Sequence, residues 1–169
     1  DNPLTTVILE VGAEESNLII VKNGLMMFTR TISTGGNAIT RAIVSKFGLE
    51  FIQAEEYKKT YGIEKDSFDG KLVEIILPII DILVSEIKRA VTFYQSKKPD
   101  DVVKRLILSG SPSLIPGFVR HMTDVVGIET QIGDPWEIIG IDAKTFPDIV
   151  GKGPMYSVAC GLAKKEMND

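Results

Sequence analysis

The chain is poor in the residue types that mark several classes of protein. Its 169 residues include one cysteine, Cys160, and one histidine. A single cysteine excludes an internal disulfide and a zinc site built on paired cysteines. Basic residues (19) are outnumbered by acidic ones (23), and the net charge of -4 gives no general attraction to nucleic acid or anionic lipid. We therefore expect no nucleic-acid partner.

Long apolar runs are also missing. The most apolar segment, residues 72–84, is interrupted by Glu74, Pro78 and Asp81. It is too short to cross a hydrocarbon core of about 30 Å, so we expect no membrane insertion. Its broad apolar surface leaves two interpretations open, which are a helix buried within this domain and a face that meets another part of a longer protein.

Length and composition indicate one globular domain over residues 1–169. Apolar residues make up 44% and charged residues 25% of the chain. A chain of this length can bury one sizeable core but is too short for two ordinary domains. Because it begins at Asp1 and strand-like residues follow almost at once, we expect an excised piece of something longer.

The first third of the chain has the pattern of antiparallel strands. Residues 5–10, 16–22 and 25–32 are rich in valine, isoleucine, leucine, phenylalanine and threonine. Turn-forming residues separate them at 12–15 and at Asn23-Gly24, and an Asn-Gly pair is typical of a tight hairpin. The pattern predicts a three-stranded meander.

Beyond residue 36 apolar residues recur at helical spacing. Helices are predicted up to Phe47 and over residues 52–60, 71–95, 116–126 and 154–166, with strands at 105–109 and 129–132. Residues 134–153 are expected to form a long irregular connection. Strands followed by alternating helices and strands predict an α/β layer fold.

An acid and a glycine lie at the turn between the first two strands. Residues 7–21 read VILEVGAEESNLIIV. Such a turn can bring backbone N–H groups against a phosphate while the carboxylate of Glu10 approaches a metal ion. An ordinary hairpin turn has the same composition, so both interpretations stay open.

A second glycine turn, SGSPSLIPG, covers residues 109–117 between a predicted strand and a helix. Open α/β sheets bind ligands at this end of a strand, and glycine lets the backbone approach a flat base. A plain strand-to-helix connection with Ser113 as the N-cap explains the residues equally well.

The order of several segments carries a resemblance. The first turn is followed by FTRTISTGGNAIT (28–40), AEEYKKTYG (54–62), EIKRAVTFY (86–94), GDPW (133–136) and YSVACGLA (156–163). In this order they resemble the second half of PilM, the actin-like ATPase family of type IV pilus assembly, which is similar to FtsA. The resemblance covers nearly the whole chain.

The resemblance implies a fold and a function. The fold would be a ribonuclease H-like half, a five-stranded mixed sheet of order 3-2-1-4-5 flanked by helices. Two such halves close around ATP and magnesium, so these cofactors would be bound only together with a missing N-terminal half. The implied partners are that half and inner-membrane pilus assembly proteins, which would place the protein in the cytoplasm, peripheral at the inner membrane.

Carried over position by position, the resemblance implies eleven nucleotide-binding residues. The phosphate turn would use Glu10, Gly12, Ala13 and Ser16, the helix behind it would begin at Gly36, Glu55, Lys58 and Lys59 would face ribose and adenine, and Ser109, Gly110 and Ser111 would form the adenosine turn. Glu10 would hold magnesium through a water. No catalytic residue is assigned.

Two departures from the family pattern predict a degenerate ATP site. Relatives have aspartate at the position of Glu10, and the extra methylene shifts the carboxylate away from a strict magnesium geometry. Pro112 replaces a glycine of the adenosine turn and removes an N–H donor. This chain alone is not expected to hydrolyse ATP. Two hypotheses remain, a nucleotide-binding scaffold and a protein-protein adaptor of the same fold that no longer binds nucleotide.

Overall fold

All five strands and the longer helices form where the apolar period predicts them. The computed structural model describes residues 4–64, 67–141, 144 and 146–166. The elements in chain order are β1 (Thr5–Val11), β2 (Ser16–Lys22), β3 (Leu25–Ile32), α1 (Gly36–Phe47), α2 (Phe51–Tyr61), α3 (Lys71–Lys97), β4 (Val103–Ser109), α4 (Phe118–Val126), β5 (Glu129–Ile132), α5 (Pro135–Ile139) and α6 (Gly153–Glu166). Single 3-10 turns lie at Ser67–Gly70, Ser111–Leu114 and Pro147–Ile149.

The five strands form one mixed sheet of order β3-β2-β1-β4-β5. The pairs β1–β2 and β2–β3 are antiparallel, whereas β1–β4 and β4–β5 are parallel. This confirms the predicted ribonuclease H-like order. Parallel pairing puts Glu10 opposite Ser109, so the two glycine turns lie side by side at one edge of the sheet.

One face of the sheet carries the core. Val7, Leu9 and Val11 of β1 are buried at every second position, as half-buried strands require. They join one apolar cluster that includes Leu18, Ile20, Ile39, Ile43, Ile76, Ile80, Leu106, Leu108, Phe118 and Met122. Because a slip by one residue would turn this set to the other face, the cluster fixes the strand register.

Helix α3 settles the interpretation of the apolar segment at residues 72–84. Leu72, Ile76, Ile80 and Leu83 are buried at spacings of three and four residues, so most of the segment packs within this domain. Pro78 lies inside α3, and one helix continues through it from Lys71 to Lys97. Pro78 and Glu74 are both exposed, so the Glu74 carbonyl that lacks its helical donor lies on the solvent side of the helix.

The connection after β5 is more ordered than predicted. Residues 135–139 form the short helix α5, whose first turn is capped by the Asp134 carboxylate accepting the Trp136 N–H at 2.9 Å. The Trp136 indole N–H donates to the Ile149 carbonyl at 3.0 Å. An N-cap aspartate followed by proline at the first helical position is a helix-start signal, but five residues are too few to show a helical period.

Ser113 does not cap α4. Its hydroxyl donates to the Gly110 carbonyl at 2.7 Å within a 3-10 turn, and α4 begins at Phe118 after Gly117. The predicted start at residue 116 was therefore two residues early. The serine stabilises the glycine turn and not the helix.

A buried carboxylate joins β1, β2 and α3. Asp101 accepts hydrogen bonds from the hydroxyls of Thr5 and Tyr94, and it forms an ion pair with the Lys22 ammonium at 2.9 Å. Burial opposes ionisation of Asp101, but these donors outweigh it and lower the pKa of Asp101 to about 2. Burial together with the neighbouring carboxylate raises the pKa of Tyr94 to about 12.

These shifts predict how stability depends on pH. The folded pKa of Asp101 is depressed, so its contribution is present above pH 3.8 and is lost as the pH falls toward about 2. We expect a loss of about 1 to 2 kcal/mol over that range. Urea unfolding at a series of pH values measures it, with Asp101→Asn as the comparison. If the free energy of unfolding of Asp101→Asn falls as steeply at acid pH as that of the wild type, Asp101 is not the group responsible.

Candidate functional site

A cleft of about 280 Å³ opens where the ends of β1 and β4 meet the start of α1. Its lining residues are Glu10, Val11, Gly12, Ala13, Gly36, Asn37, Glu55, Lys58, Gly110, Ser111, Pro112 and Met155. Eight of the eleven predicted site residues are among them. The volume lies just below the range of small-molecule sites, about 300 to 1,000 Å³.

The phosphate turn is fastened to the first turn of α1. The Gly12 N–H donates to the Glu15 carbonyl at 2.9 Å, and the N–H groups of Gly36 and Asn37 donate to the carbonyls of Gly12 and Ala13 at 2.9 and 2.8 Å. Two donors at the helix start are therefore used by the protein itself. The N–H group of Ala13, which lines the cleft, donates to no backbone carbonyl in the described part of the chain, so this amide is available to an anion there.

Close approach of the turn to α1 depends on Gly35. A Cβ at this position would lie 2.6 Å from the Ala13 carbonyl oxygen, closer than van der Waals contact allows. The glycine pair at 35 and 36 thus lets the helix begin directly against the turn. Gly36 is the first residue of α1, where the family resemblance implied that the helix would begin.

Glu10 brings a carboxylate into the cleft. It is half-buried, and one of its oxygens accepts a hydrogen bond from the Asn17 amide at 3.3 Å. No cluster of three or more histidine, cysteine or acidic side chains suited to a metal occurs among the residues that the structure describes. One protein carboxylate fits magnesium better than zinc or calcium, because magnesium keeps several waters and needs one or two carboxylates plus phosphate.

The acidic residues of the turn are balanced locally. Glu14 is exposed and accepts hydrogen bonds from Asn37 at 2.7 Å and Arg41 at 3.1 Å. These bonds, that of Asn37 foremost, hold the pKa of Glu14 below its ordinary value. Glu15 is also exposed. The negative charge of the turn therefore faces solvent and Arg41 more than the cleft.

Lys58 joins α2 to the first turn of α1. It is 4% exposed, and its ammonium donates to the Gly36 carbonyl at 3.2 Å, the Thr40 hydroxyl at 2.8 Å and the Glu55 carboxylate at 2.6 Å. Three donors thus meet three protein acceptors. The side chain lines the cleft while it fixes the helix that forms the cleft wall.

Burial and hydrogen bonding have opposing effects on the charges of the Lys58–Glu55 pair. Burial lowers the pKa of Lys58 despite the bond to Glu55. Burial also opposes ionisation of Glu55, but the hydrogen bonds from Lys58 and Thr40 outweigh it and hold the pKa of Glu55 below its ordinary value. The pair fixes geometry at some cost in desolvation.

Three predicted residues do not line the cleft. The Ser16 hydroxyl donates to the Thr34 carbonyl at 2.6 Å, and the Ser109 hydroxyl donates to the Pro154 carbonyl at 3.3 Å. Lys59 lies on the exposed side of α2, with its ammonium 3.5 Å from the Glu55 carboxylate. Both serines brace the backbone near the cleft, and the binding roles assigned to all three residues stay predictions.

The second glycine turn packs directly on the first. Gly110 has φ +86, and a Cβ there would lie 2.1 Å from the Val11 carbonyl oxygen. The absent side chain therefore leaves room for the end of β1. Pro112 lies against α1, because its Cγ is 2.8 Å from where a Cβ on Gly36 would be. Pro112 lines the cleft next to the turn that the family resemblance assigns to adenosine.

Sequence reasoning missed Val11, Asn37 and Met155 as lining residues. Asn37 directly follows the Gly35-Gly36 pair, and that neighbourhood could have identified it. Met155 belongs to α6 and reaches the cleft because the Gly110 N–H donates to the Pro154 carbonyl at 3.0 Å. This contact joins distant parts of the chain and has no local signal.

Comparison with known proteins gives a consistent result. The family described as type IV pilus assembly protein PilM matches residues 2–167. The cell division protein FtsA of Neisseria meningitidis serogroup B is 22% identical over 182 residues, which cover 96% of this chain and 42% of FtsA. A solved PilM-PilN type IV pilus biogenesis complex is similar with a TM-score of 0.78 and 25% identity, covering 97% of this chain and 46% of that one.

A more distant structure shows the fold alone. MreB5 of Spiroplasma citri bound to AMPPNP has a TM-score of 0.69 at 15% identity and covers 98% of this chain and 54% of that one. The chain spans less than half of the FtsA and PilM chains named above. Within the described ranges, no helix is both long and apolar enough to cross a membrane. Because the family match extends over nearly every residue, the chain belongs to the PilM family of type IV pilus assembly and has the actin-like ATPase fold.

Proposed function

We propose that this chain is a nucleotide-binding scaffold of a type IV pilus assembly machine and supplies one wall of an ATP and magnesium site. The observation that carries the proposal is the cleft, where the two glycine turns, Glu10 and the start of α1 converge. The second wall would come from a preceding half of the same polypeptide. The MreB5 neighbour, which is bound to AMPPNP, supports a nucleotide as the class of ligand.

The residues present fit such a ligand at its phosphate end. The Ala13 N–H would donate to a phosphate oxygen, and Glu10 would hold a water of the magnesium ion. Magnesium, when bound, neutralises phosphate charge. Lys58 has its donors engaged and would act by holding α1 in place.

Binding without hydrolysis is the proposed role of this chain. Glu10 and Glu55 are the carboxylates that line the cleft, and Glu55 is engaged by Lys58 and Thr40. Glu10 is the acid left to face a metal-bound water.

The proposed partners are inner-membrane pilus assembly proteins, supported by the similarity to a PilM-PilN complex. Such partners would place the protein in the cytoplasm, at the periphery of the inner membrane.

Calorimetry with ATP and magnesium tests this proposal on the full-length protein. Glu10→Gln removes the carboxylate charge and is expected to weaken magnesium-dependent ATP binding at least about tenfold. Glu15→Gln is the matched control, because it makes the same change on the same turn at an exposed position. Its affinity should stay within about twofold of wild type.

Pro112→Gly separates the two hypotheses. Removing the ring opens the cleft beside Gly36, so it should strengthen ATP binding if the site is narrowed but functional. If neither wild type nor Pro112→Gly binds ATP, the scaffold proposal is wrong, and the adaptor that no longer binds nucleotide becomes the better account.

A further inference from the structure

The outer edge of the sheet is open. β3 is the terminal strand and pairs with β2 on one side, so a row of its backbone N–H and C=O groups faces no other strand of the described sheet. Natural proteins usually protect such an edge with charge, proline or a bulge. A bulge near Met26 interrupts the first part of β3, but residues 28–32 of this strand keep regular pairing with β2. This stretch can still accept another strand.

Apolar side chains lie along the same edge. Leu25 and Met26 are 67% and 66% exposed. The ring of Phe28 lies 5.7 Å from that of Phe93 on α3, and Phe93 is itself 53% exposed. Phe93 also lines a shallow groove of about 370 Å³ on α3, together with Lys88, Arg89, Thr92 and Ser96. A shallow groove, formed by one aromatic ring and the long or small polar side chains around it, thus lies beside the open strand.

The charge of this surface is positive, although the chain as a whole is negative. Arg30 and Arg89 each lie 2.8 Å from the carboxylate of Glu86, whose side chain is 10% exposed. Two arginines share one carboxylate, so one positive charge is uncompensated. Lys88 lines the groove, and the ammonium of Lys97 lies 6.0 Å from the centre of the Phe93 ring.

We propose that this surface, formed by the β3 edge and the groove on α3, docks an extended acidic segment of a partner protein as a sixth strand. Backbone pairing with β3 would supply affinity, as in other cases of strand addition. Side chains on one face of a strand recur at every second residue. On the face of the segment that meets α3, which carries every second residue, apolar and acidic side chains should therefore take turns. The apolar ones would pack on Phe93, and the acidic ones would meet Arg30 and Arg89.

Charge argues against a second copy of this chain as the occupant. Two copies paired through β3 would bring the same sets of lysines and arginines together, and like charges at close range repel. An acidic segment meets this surface with complementary charge. The proposal does not depend on nucleotide binding.

Hydrogen exchange with two synthetic peptides tests the proposal. Each peptide has about ten residues, the length of a long strand, with threonine at every second position. The remaining positions alternate leucine with glutamate in the first peptide, and leucine with lysine in the second. The glutamate peptide, added up to about 1 mM, is expected to slow amide exchange at residues 28–32, and the lysine peptide is not.

Two variants of α3 provide the matched comparison. Arg89→Glu reverses a charge in the groove and should weaken binding of the glutamate peptide at least about tenfold. Lys71→Glu makes an equal charge change at the exposed first residue of α3, about 27 Å away along the helix, and should leave binding unchanged. Circular dichroism of both variants checks that the fold is retained.

Three outcomes would overturn the proposal. The first is equal binding of both peptides, which would remove the role of charge. The second is no slowing of exchange at β3 with either peptide. The third is self-association of the chain through β3 in analytical ultracentrifugation, which would identify a second copy as the occupant.

Discussion

Replacing Gly110 by alanine is expected to lower the free energy of unfolding by about 3 kcal/mol or more. Gly110 has φ +86 and ψ 162, a region of backbone conformation that is essentially restricted to glycine. A methyl group would also lie 2.1 Å from the Val11 carbonyl oxygen, and backbone atoms cannot move aside cheaply. Backbone strain and steric overlap therefore act together.

Gly127→Ala is the matched control for this change. Gly127 ends α4 with φ +77 and ψ 22, and nothing lies within 4 Å of a Cβ built there. It has the unfavourable φ without the overlap, so we expect a loss of about 1 kcal/mol. Urea unfolding followed by circular dichroism measures both variants. Equal losses for the two would show that the contact with Val11 does not matter.

Gly110 was interpreted as part of an adenosine-binding turn, and its place in the fold offers a second reason for a glycine. The sequence suggested that Gly110 leaves room for a purine. In the structure, the space that a side chain would take is filled by the end of β1, so the fold requires glycine here whether or not a nucleotide binds. A contact between this turn and adenosine stays a prediction, to be tested by ligand binding and not by the presence of the glycine.

Lys58→Met is expected to cost about 3 kcal/mol, because it leaves Glu55 and the Gly36 carbonyl without their shared donor. Lys59→Met is the control from the next position of α2. Lys59 is exposed and contacts the same carboxylate at 3.5 Å, so we expect a loss of no more than about 0.5 kcal/mol. Thermal and urea unfolding of the two variants give the comparison.

A double variant shows what the buried pair does. Glu55→Leu with Lys58→Met removes both charges, so no uncompensated carboxylate remains. We expect it to be more stable than Lys58→Met alone, while the first turn of α1 becomes less protected from amide exchange. If the double variant is less stable than Lys58→Met by the full cost of a second lesion, the two side chains act independently and the network does not exist as described.

Most of the fold could be predicted because its signals are local. The apolar residues of α3 recur at three and four positions, which identifies the helix from the sequence, whereas the structure shows that Leu72, Ile76, Ile80 and Leu83 pack within this domain. Asn23-Gly24 similarly identifies a hairpin. Strand order was predicted through the family resemblance, since no local pattern states which strands become neighbours.

The parts that were missed depend on contacts between distant residues. α5 is capped by Asp134 and held by Trp136 against Ile149, and neither interaction produces a periodic pattern. Met155 reaches the cleft from α6. The three acceptors of Lys58 lie on two helices, so a lysine on a charged segment gave no sign that it would be buried.

The sequence alone determined the α/β layer pattern, the positions of the two glycine turns and the likeness to PilM, because each is written in the spacing and identity of nearby residues. Tertiary structure decided that the two turns form one cleft and that its polar groups are largely engaged by the protein. The physical reason is the parallel pairing of β1 with β4. It brings residues 10 and 109 side by side, and with them turns that are separated by about a hundred residues of chain.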